Sequence, residues 1–357
     1  MKPRILALTR YGNLGSSSRL RIMQYLPALE VAGFEVHVQA FINDETLAAR
    51  YDRGSYSLSN IMGCYAKRVK AMLTRKAFDL VWVEKEALQW WPLWLEKLLL
   101  SNIPYVLDFD DAVFHHYDQH RVSVVRKLYG KRIDRLMAEA ALVVCGNDYL
   151  AERAKQAVTP WVEVLPTVID LDRYPVPIQK AETTPPRIVW IGSPSTVKYL
   201  DLLREPLKAL AKTTPFIFRV IGGEFHVDGV QTECLPWTEA TEVSDIMACD
   251  VGVMPLEDTA WERGKCGYKL IQYMACNLPV VASPVGVNQT IVSNGVNGLL
   301  ASGPADWLES FEHLLSNSEA RQNMGQAGRS QVENVYSLQV TAPRLADWLK
   351  SIAASVP

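Results

Sequence analysis

Lys265-Cys-Gly-Tyr-Lys-Leu-Ile-Gln-Tyr-Met-Ala-Cys-Asn-Leu-Pro-Val-Val-Ala-Ser-Pro-Val-Gly286 reads as a loop, an amphipathic helix, a turn, a short apolar strand and a second glycine loop. Leu270, Ile271 and Met274 fall on the core face of the helix. Lys265 and Lys269 fall in the loop and the first helical turn, with Tyr268 between them. A helix N-terminus offers free N–H groups and the positive end of the helix dipole. Two added lysines make it suited to a diphosphate.

Outward from this stretch, short apolar runs alternate with helical patterns. Apolar runs at 187–192, 216–222, 251–255, 279–283 and 298–301 read as strands of one series. Runs at 5–9, 35–39, 80–83, 105–108 and 142–145 read as another. Such alternation predicts parallel sheets covered by helices. Between the series, Pro175, Pro177, Pro185 and Pro186 break any sustained period and predict a linker. The fold class expected is α/β, with two facing Rossmann-like doubly wound domains. The boundaries expected are 1–168 for the first domain, 169–186 for the linker and 187–338 for the second. Residues 339–357 are expected as a helix crossing back to the first domain, with Leu345, Trp348, Leu349 and Ile352 on its apolar face. In such sheets, ligands bind beyond the C-terminal strand ends.

Composition narrows the function classes. The net charge of −2, from 37 basic and 39 acidic residues, argues against bulk nucleic-acid binding. The cysteines at 64, 145, 234, 249, 266 and 276 form no Cys-x-x-Cys pair, which favours buried thiols over disulfides or zinc. Arg10 ends the first apolar run too early for a signal peptide, and Pro92, Glu96 and Lys97 interrupt the apolar stretch 90–100. A cytoplasmic protein is expected, at the inner face of the membrane if it touches one. The basic stretch 67–76 and the tryptophan-rich stretch 90–100 read as a solvated helix face plus a core helix. Peripheral contact with an anionic membrane is the alternative.

The opening strand with its Gly/Ser loop, Trp190-Ile-Gly-Ser-Pro-Ser195 and residues 255–286 together resemble a GT-B glycosyltransferase of the retaining family 4, the glycosyl transferases group 1. The most specific part is Tyr273-Met-Ala-Cys-Asn-Leu-Pro-Val-Val-Ala-Ser283. The resemblance implies a nucleotide diphosphate sugar as donor, bound by the second domain, and an acceptor presented by the first. It implies retention at the anomeric carbon, no cofactor, and a glycan, lipid-linked or small-molecule acceptor. Cell-surface polysaccharide assembly is the family-level expectation. The donor set implied is Gly15, Ser16, Ser193, Lys198, Glu262, Lys265, Tyr268, Lys269 and Gln272. Lys198 corresponds to the basic residue that contacts the donor diphosphate. The family's Glu-x7-Glu is altered: Gln272 stands for the second glutamate and Gly264 for the first, so Glu262 or Lys265 is expected to take over the first one's role. Lys198, Lys265 and Asp110 are the expected catalytic residues.

Other residues carry two readings each. Gly15, Ser16 and Ser17 form either a loop approaching phosphate or sugar, or an ordinary serine-capped turn. Arg19 and Arg21 open a helix against its dipole, which suggests an anionic acceptor, with simple exposure as the alternative. Asp108-Phe-Asp110-Asp111 crowds three acids at a strand end. Asp-x-Asp is a metal motif in the other large glycosyltransferase fold, but in a chain of two Rossmann-like domains no metal is expected. The repulsion costs energy if no cation compensates it. Asp110 falls roughly where the family carries a cleft histidine, so it is expected on the transferred sugar or the acceptor hydroxyl. Asp111 either joins it or caps the next helix. His115 and His116 are expected at the surface. Glu86 is expected either near the acceptor or as a solvated charge. Trp237 is expected near the base or in the core. Two other function classes stay open: a nucleotide-sugar epimerase of similar fold, and a non-catalytic nucleotide-sugar or glycan binder.

Overall fold

The computed structural model describes residues 2–175 and 184–355, leaving aside the side chains of 51–53. The chain forms two compact units. The first comprises residues up to Thr167, Gly264–Cys266 and the chain from Thr341; the second comprises Val168–Arg263 and Gly267–Val340.

The first unit contains β1 (Arg4–Tyr11), β2 (Glu35–Ile42), β3 (Leu80–Glu84), β4 (Tyr105–Phe109), β5 (Leu142–Cys145) and β6 (Val162–Val164). All pair in parallel, in the order β2-β1-β3-β4-β5-β6. β3 and β4 are buried along their whole lengths, as expected of continuous apolar strands covered on both faces. The closing helix Leu338–Ala354 buries Leu345, Leu349 and Ile352 in this unit. Tyr25 Oη lies 3.0 Å from Thr341 Oγ1, and Arg344 donates to the Val164 carbonyl, so the helix is fixed by polar contacts as well as by its apolar face.

The second unit contains β7 (Arg187–Ile191), β8 (Ile217–Ile221), β9 (Gln231–Leu235), β10 (Val251–Met254), β11 (Val280–Ala282) and β12 (Gly298–Leu300). These also run parallel, in the order β12-β11-β10-β7-β8-β9. Trp190, Phe218, Val253, Val281 and Phe311 anchor its core. Burial of each such side chain contributes about 1.5–3 kcal/mol.

Each sheet reverses strand order once, between β1 and β3 in the first unit and between β7 and β10 in the second. Those switch points are where doubly wound sheets open a crevice beyond their strand ends. The expected linker 169–186 is only partly testable, since 176–183 lie outside the described residues. Its start is packed rather than loose. Ile169 bridges to Ser337, and Tyr174 is buried, with its ring hydroxyl accepting from Gln272. The pattern from Arg19 to Glu30 predicts one helix; the structure has two, Ser16–Arg21 and Leu26–Val31, because Pro27 restarts the turn.

Candidate active site

In the first unit, β3 ends beside β1 at the switch point with β4 next to it, and the residues following β3 and β4 converge. Lys85 follows β3 with φ of 64°, a left-handed conformation unusual for a lysine. Its backbone N–H donates to the Asp108 carbonyl, tying the turn to β4. Its ammonium lies 2.8 Å from Asp110 Oδ1 and 3.7 Å from Asp111 Oδ2, and donates to Ser17 Oγ at 3.2 Å. Ser17 in turn donates to Asp110 Oδ2 at 2.5 Å. The Lys265 ammonium stands 3.5 Å from Asp111 Oδ1. Glu84 accepts from the Arg10 N–H and the Ser18 hydroxyl, which fastens the loop after β1 over this cluster.

The charges set the protonation states. Burial alone would raise the Asp110 pKa, but the Lys85 ammonium and the hydrogen bonds from Lys85 and Ser17 hold it down to about 2. Lys85 is pushed up from its ordinary value; its burial opposes this, but Asp110 and Asp111 outweigh it. Asp111 is raised by burial and by the charge of Asp110, with Lys85 and Lys265 offsetting part of the effect. Asp110 is therefore an ionised hydrogen-bond acceptor at neutral pH and a poor proton carrier.

Residues Gly264–Cys266 join this cluster through a second lock. Asn147 caps the helix Asp148–Gln156, accepting from Leu150 N–H, and donates its amide to the Gly264 and Lys265 carbonyls. Cys266 Sγ donates to the Asp110 carbonyl at 3.1 Å. A Cβ on Gly264 would meet Ala112 Cβ at 2.5 Å, so the close approach requires glycine there.

In the second unit, β7 runs into the exposed Ser193 and a 3-10 helix, Pro194–Leu203. Ser193 N–H donates to Thr196 Oγ1, closing the first turn. Lys198 is exposed, its ammonium 5.0 Å from the Tyr199 ring centre. Beyond β10, Glu262 accepts from the Tyr199 and Thr259 hydroxyls. Burial would raise its pKa, but those two hydroxyls and the charge of Lys198 lower it. The helix Tyr268–Ala275 starts at Gly267, whose φ is 66°. The half-buried Lys269 holds its ammonium 5.0 Å from the Trp190 ring centre, on β7. Lys198, Glu262 and Lys269 thus all lie by the β7/β10 switch point. Tyr268 is half-buried in the first helical turn.

Several expectations change. Arg21 does not face an acceptor. It is buried, grips both Asp108 oxygens at 2.7 and 3.2 Å, and donates to the Leu165 carbonyl. The three acids are not without cations: Arg21 serves Asp108, Lys85 serves Asp110 and Asp111, and Lys265 serves Asp111. Gln272 faces the interior and donates to Tyr174 Oη rather than standing open beyond the strand ends. Glu262 is buried with both oxygens occupied, so it braces the loop rather than offering an open carboxylate. Glu86 is buried against Arg132 and Tyr117, not near solvent. His115 is almost enclosed, bonded to Asp118 and Tyr149, whereas His116 is exposed as expected. Trp237 is half-buried and donates its indole N–H to Glu242. Gly15 is buried as the N-cap of Ser16–Arg21, with Ser16 exposed and Arg19 donating to the Asn13 carbonyl. All six cysteines are free thiols. Lys85 was the residue overlooked. Its sequence signal is a lysine directly following a fully buried strand that ends in Glu84, where each charge has to find a partner.

Residues 185–317 match the family model described as glycosyl transferases group 1. A D-inositol 3-phosphate glycosyltransferase of Pseudarthrobacter chlorophenolicus is 31% identical over 137 residues, covering 38% of this chain and 31% of that protein. An uncharacterised glycosyltransferase of Methanocaldococcus jannaschii is 40% identical over 154 residues, covering 40% of this chain and 41% of the other. The chain therefore spans less than half the length of these curated relatives. Among solved structures, Anabaena HepE in complex with UDP and glucose superposes with a TM-score of 0.72 at 14% identity, covering 98% of this chain and all of that one. Sucrose-phosphate synthase of Thermosynechococcus elongatus gives 0.70 at 15% identity, covering 99% of this chain and all of that one. Among the described residues, no helix is long and apolar enough to cross a membrane. The chain has the fold of GT-B glycosyltransferases, and its residues 185–317 are similar to the glycosyl transferases group 1 family.

Proposed function

We propose that this protein is a glycosyltransferase that moves a sugar from a nucleotide diphosphate sugar to an acceptor hydroxyl, with retention and without an obligatory metal or cofactor. The acceptor is a glycan, a lipid-linked sugar or a small molecule, and cell-surface glycan assembly is the setting that fits. The observation that carries the reading is the group 1 family match over 185–317, the segment that contains Lys198 and Lys269 beside the β7/β10 switch point. That HepE is solved with UDP and with UDP-glucose supports a nucleotide sugar as the donor class.

The residues divide the work by their charge. Lys198 and Lys269 stabilise the negative charge that grows on the departing diphosphate. The bond from the anomeric carbon to the diphosphate breaks. The acceptor oxygen bonds to that carbon, and the acceptor proton passes to a diphosphate oxygen. Asp110, kept ionised by Lys85, accepts a hydrogen bond from a sugar or acceptor hydroxyl and orients it; Asp111 and Lys265 flank it.

The test is nucleoside diphosphate release from a panel of nucleotide sugars, with and without a pool of acceptors. Acceptor-dependent release is expected, reduced by about 10–100-fold in Lys198→Ala with the fold retained. A protein that binds the nucleotide sugar yet never releases product from any donor would mark a non-catalytic binder.

A further inference from the structure

The first unit carries an apolar surface that lies outside its core. The helix Ser123–Tyr129 has no buried residue at all. Val124 and Leu128 on it are 60% and 71% exposed. A surface helix normally turns its apolar stripe to the core; this one turns Val124 and Leu128 away from it. Nearby, the helix Leu93–Leu100 exposes Trp94 and Leu98, and Trp90 precedes it. The two helices adjoin. Tyr129 donates to the Trp90 carbonyl at 3.1 Å, and Pro92, Leu93 and Leu128 line a common recess of about 480 Å³.

The remaining recess lining is cationic. It includes Arg126, Lys127, Lys131 and Arg135, and no acid. No acidic residue occurs anywhere in 119–133. Arg132 also lines it, but its guanidinium is committed to Glu86 and Glu96.

We propose that this surface rests on an anionic phospholipid bilayer. Trp94, Leu98, Val124 and Leu128 enter the headgroup boundary, and the recess cations hold lipid phosphates. Charge decides the occupant. A second copy docking through the same patch would set Lys127, Lys131 and Arg135 against their own equivalents, which is repulsive. An anionic lipid surface neutralises them. Aromatic rings beside lysine and arginine also suit the water–lipid boundary. The inference stands apart from the glycosyl-transfer reading, since it uses none of the switch-point residues.

The experiment is co-sedimentation of the full chain with vesicles of phosphatidylethanolamine and phosphatidylglycerol, compared with vesicles of phosphatidylcholine alone. Binding is expected only to the anionic vesicles. Lys127→Glu with Lys131→Glu should weaken it by at least about 25-fold, since each cation near the surface contributes roughly fivefold. Trp94→Ser with Leu128→Ser should weaken it about tenfold or more with an unchanged melting curve, because both side chains are exposed. Equal binding to both vesicle types, wild-type binding by either double variant, or a wild-type dimer that the apolar variant converts to monomer would overturn the proposal.

Discussion

Replacing Lys85 with methionine isolates what the acid–cation cluster contributes. Lys85 is 4% exposed and is the nearest cation to Asp110, with Asp111 also in reach. Methionine keeps most of the apolar stem and removes the charge. Two neighbouring carboxylates then share a largely enclosed site, with Lys265 reaching Asp111 at 3.5 Å and the charge of Arg21 acting on Asp110. Removing one partner of a buried ion pair costs about 3–5 kcal/mol. The pH dependence gives the sharper signature. In the wild type the Asp110 pKa sits near 2, below its ordinary 3.8, so its ionised form is favoured in the folded state. In Lys85→Met that pKa rises above 3.8, and ionisation opposes folding instead. The stability gap between the two proteins should therefore be widest near neutral pH and shrink as pH falls through the raised pKa, where Asp110 takes up a proton. Urea unfolding followed by circular dichroism across about pH 4–8 measures this gap. Lys85→Met combined with Asp110→Asn should regain part of the loss at neutral pH, by about 1–2 kcal/mol. A gap constant with pH, with no recovery in the double variant, would refute the electrostatic account of the cluster and reduce Lys85 to a packing residue.

Three further outcomes follow from the same geometry. In the wild type, the Asp110 contribution of about 2 kcal/mol is fully present above pH 3.8 and lost as pH falls toward 2, so acid unfolding of Asp110→Asn should be shallower in that window. Arg21→Met should destabilise by about 3–5 kcal/mol, since it strands the buried Asp108 carboxylate, while Arg21→Met/Asp108→Leu recovers most of that loss; urea midpoints report both. Gly267→Ala should lower the melting temperature and cost about 1–3 kcal/mol, because φ is 66° and the new Cβ would lie 2.3 Å from Ile291 Cδ1.

The regular core of the fold was legible because central strands are buried on both faces and read as apolar runs. All ten strands expected are present, among them the edge strand β2 with its Glu35-Val-His-Val-Gln39, and Tyr268–Ala275 forms the helix foreseen. The two strands missed are both at sheet edges. β6 is three residues long and half-buried, and β9 carries Gln231, Thr232 and Glu233, so neither has the apolar signal of an inner strand. The site was less legible, for a different reason. Its decisive contacts join residues far apart in sequence, such as Arg21 with Asp108, whose pairing spans 87 positions. A sequence shows that three acids are crowded, but not which cations the sheet brings beside them. Gln272 and Glu262 illustrate the converse. Residue type suggested ligands, and burial assigned both to internal hydrogen bonds.

The central claim is that Lys198 and Lys269 hold the diphosphate of a nucleotide, while Asp110 serves the transfer itself. Titration calorimetry with nucleoside diphosphates tests it most directly. The account predicts binding that weakens by about 10–100-fold in Lys198→Ala and in Lys269→Ala, the range expected for loss of a charged contact. It predicts that Asp110→Asn binds within about threefold of the wild type while turnover is lost. Unchanged affinity in both lysine variants, or no affinity for any nucleoside diphosphate, would contradict it.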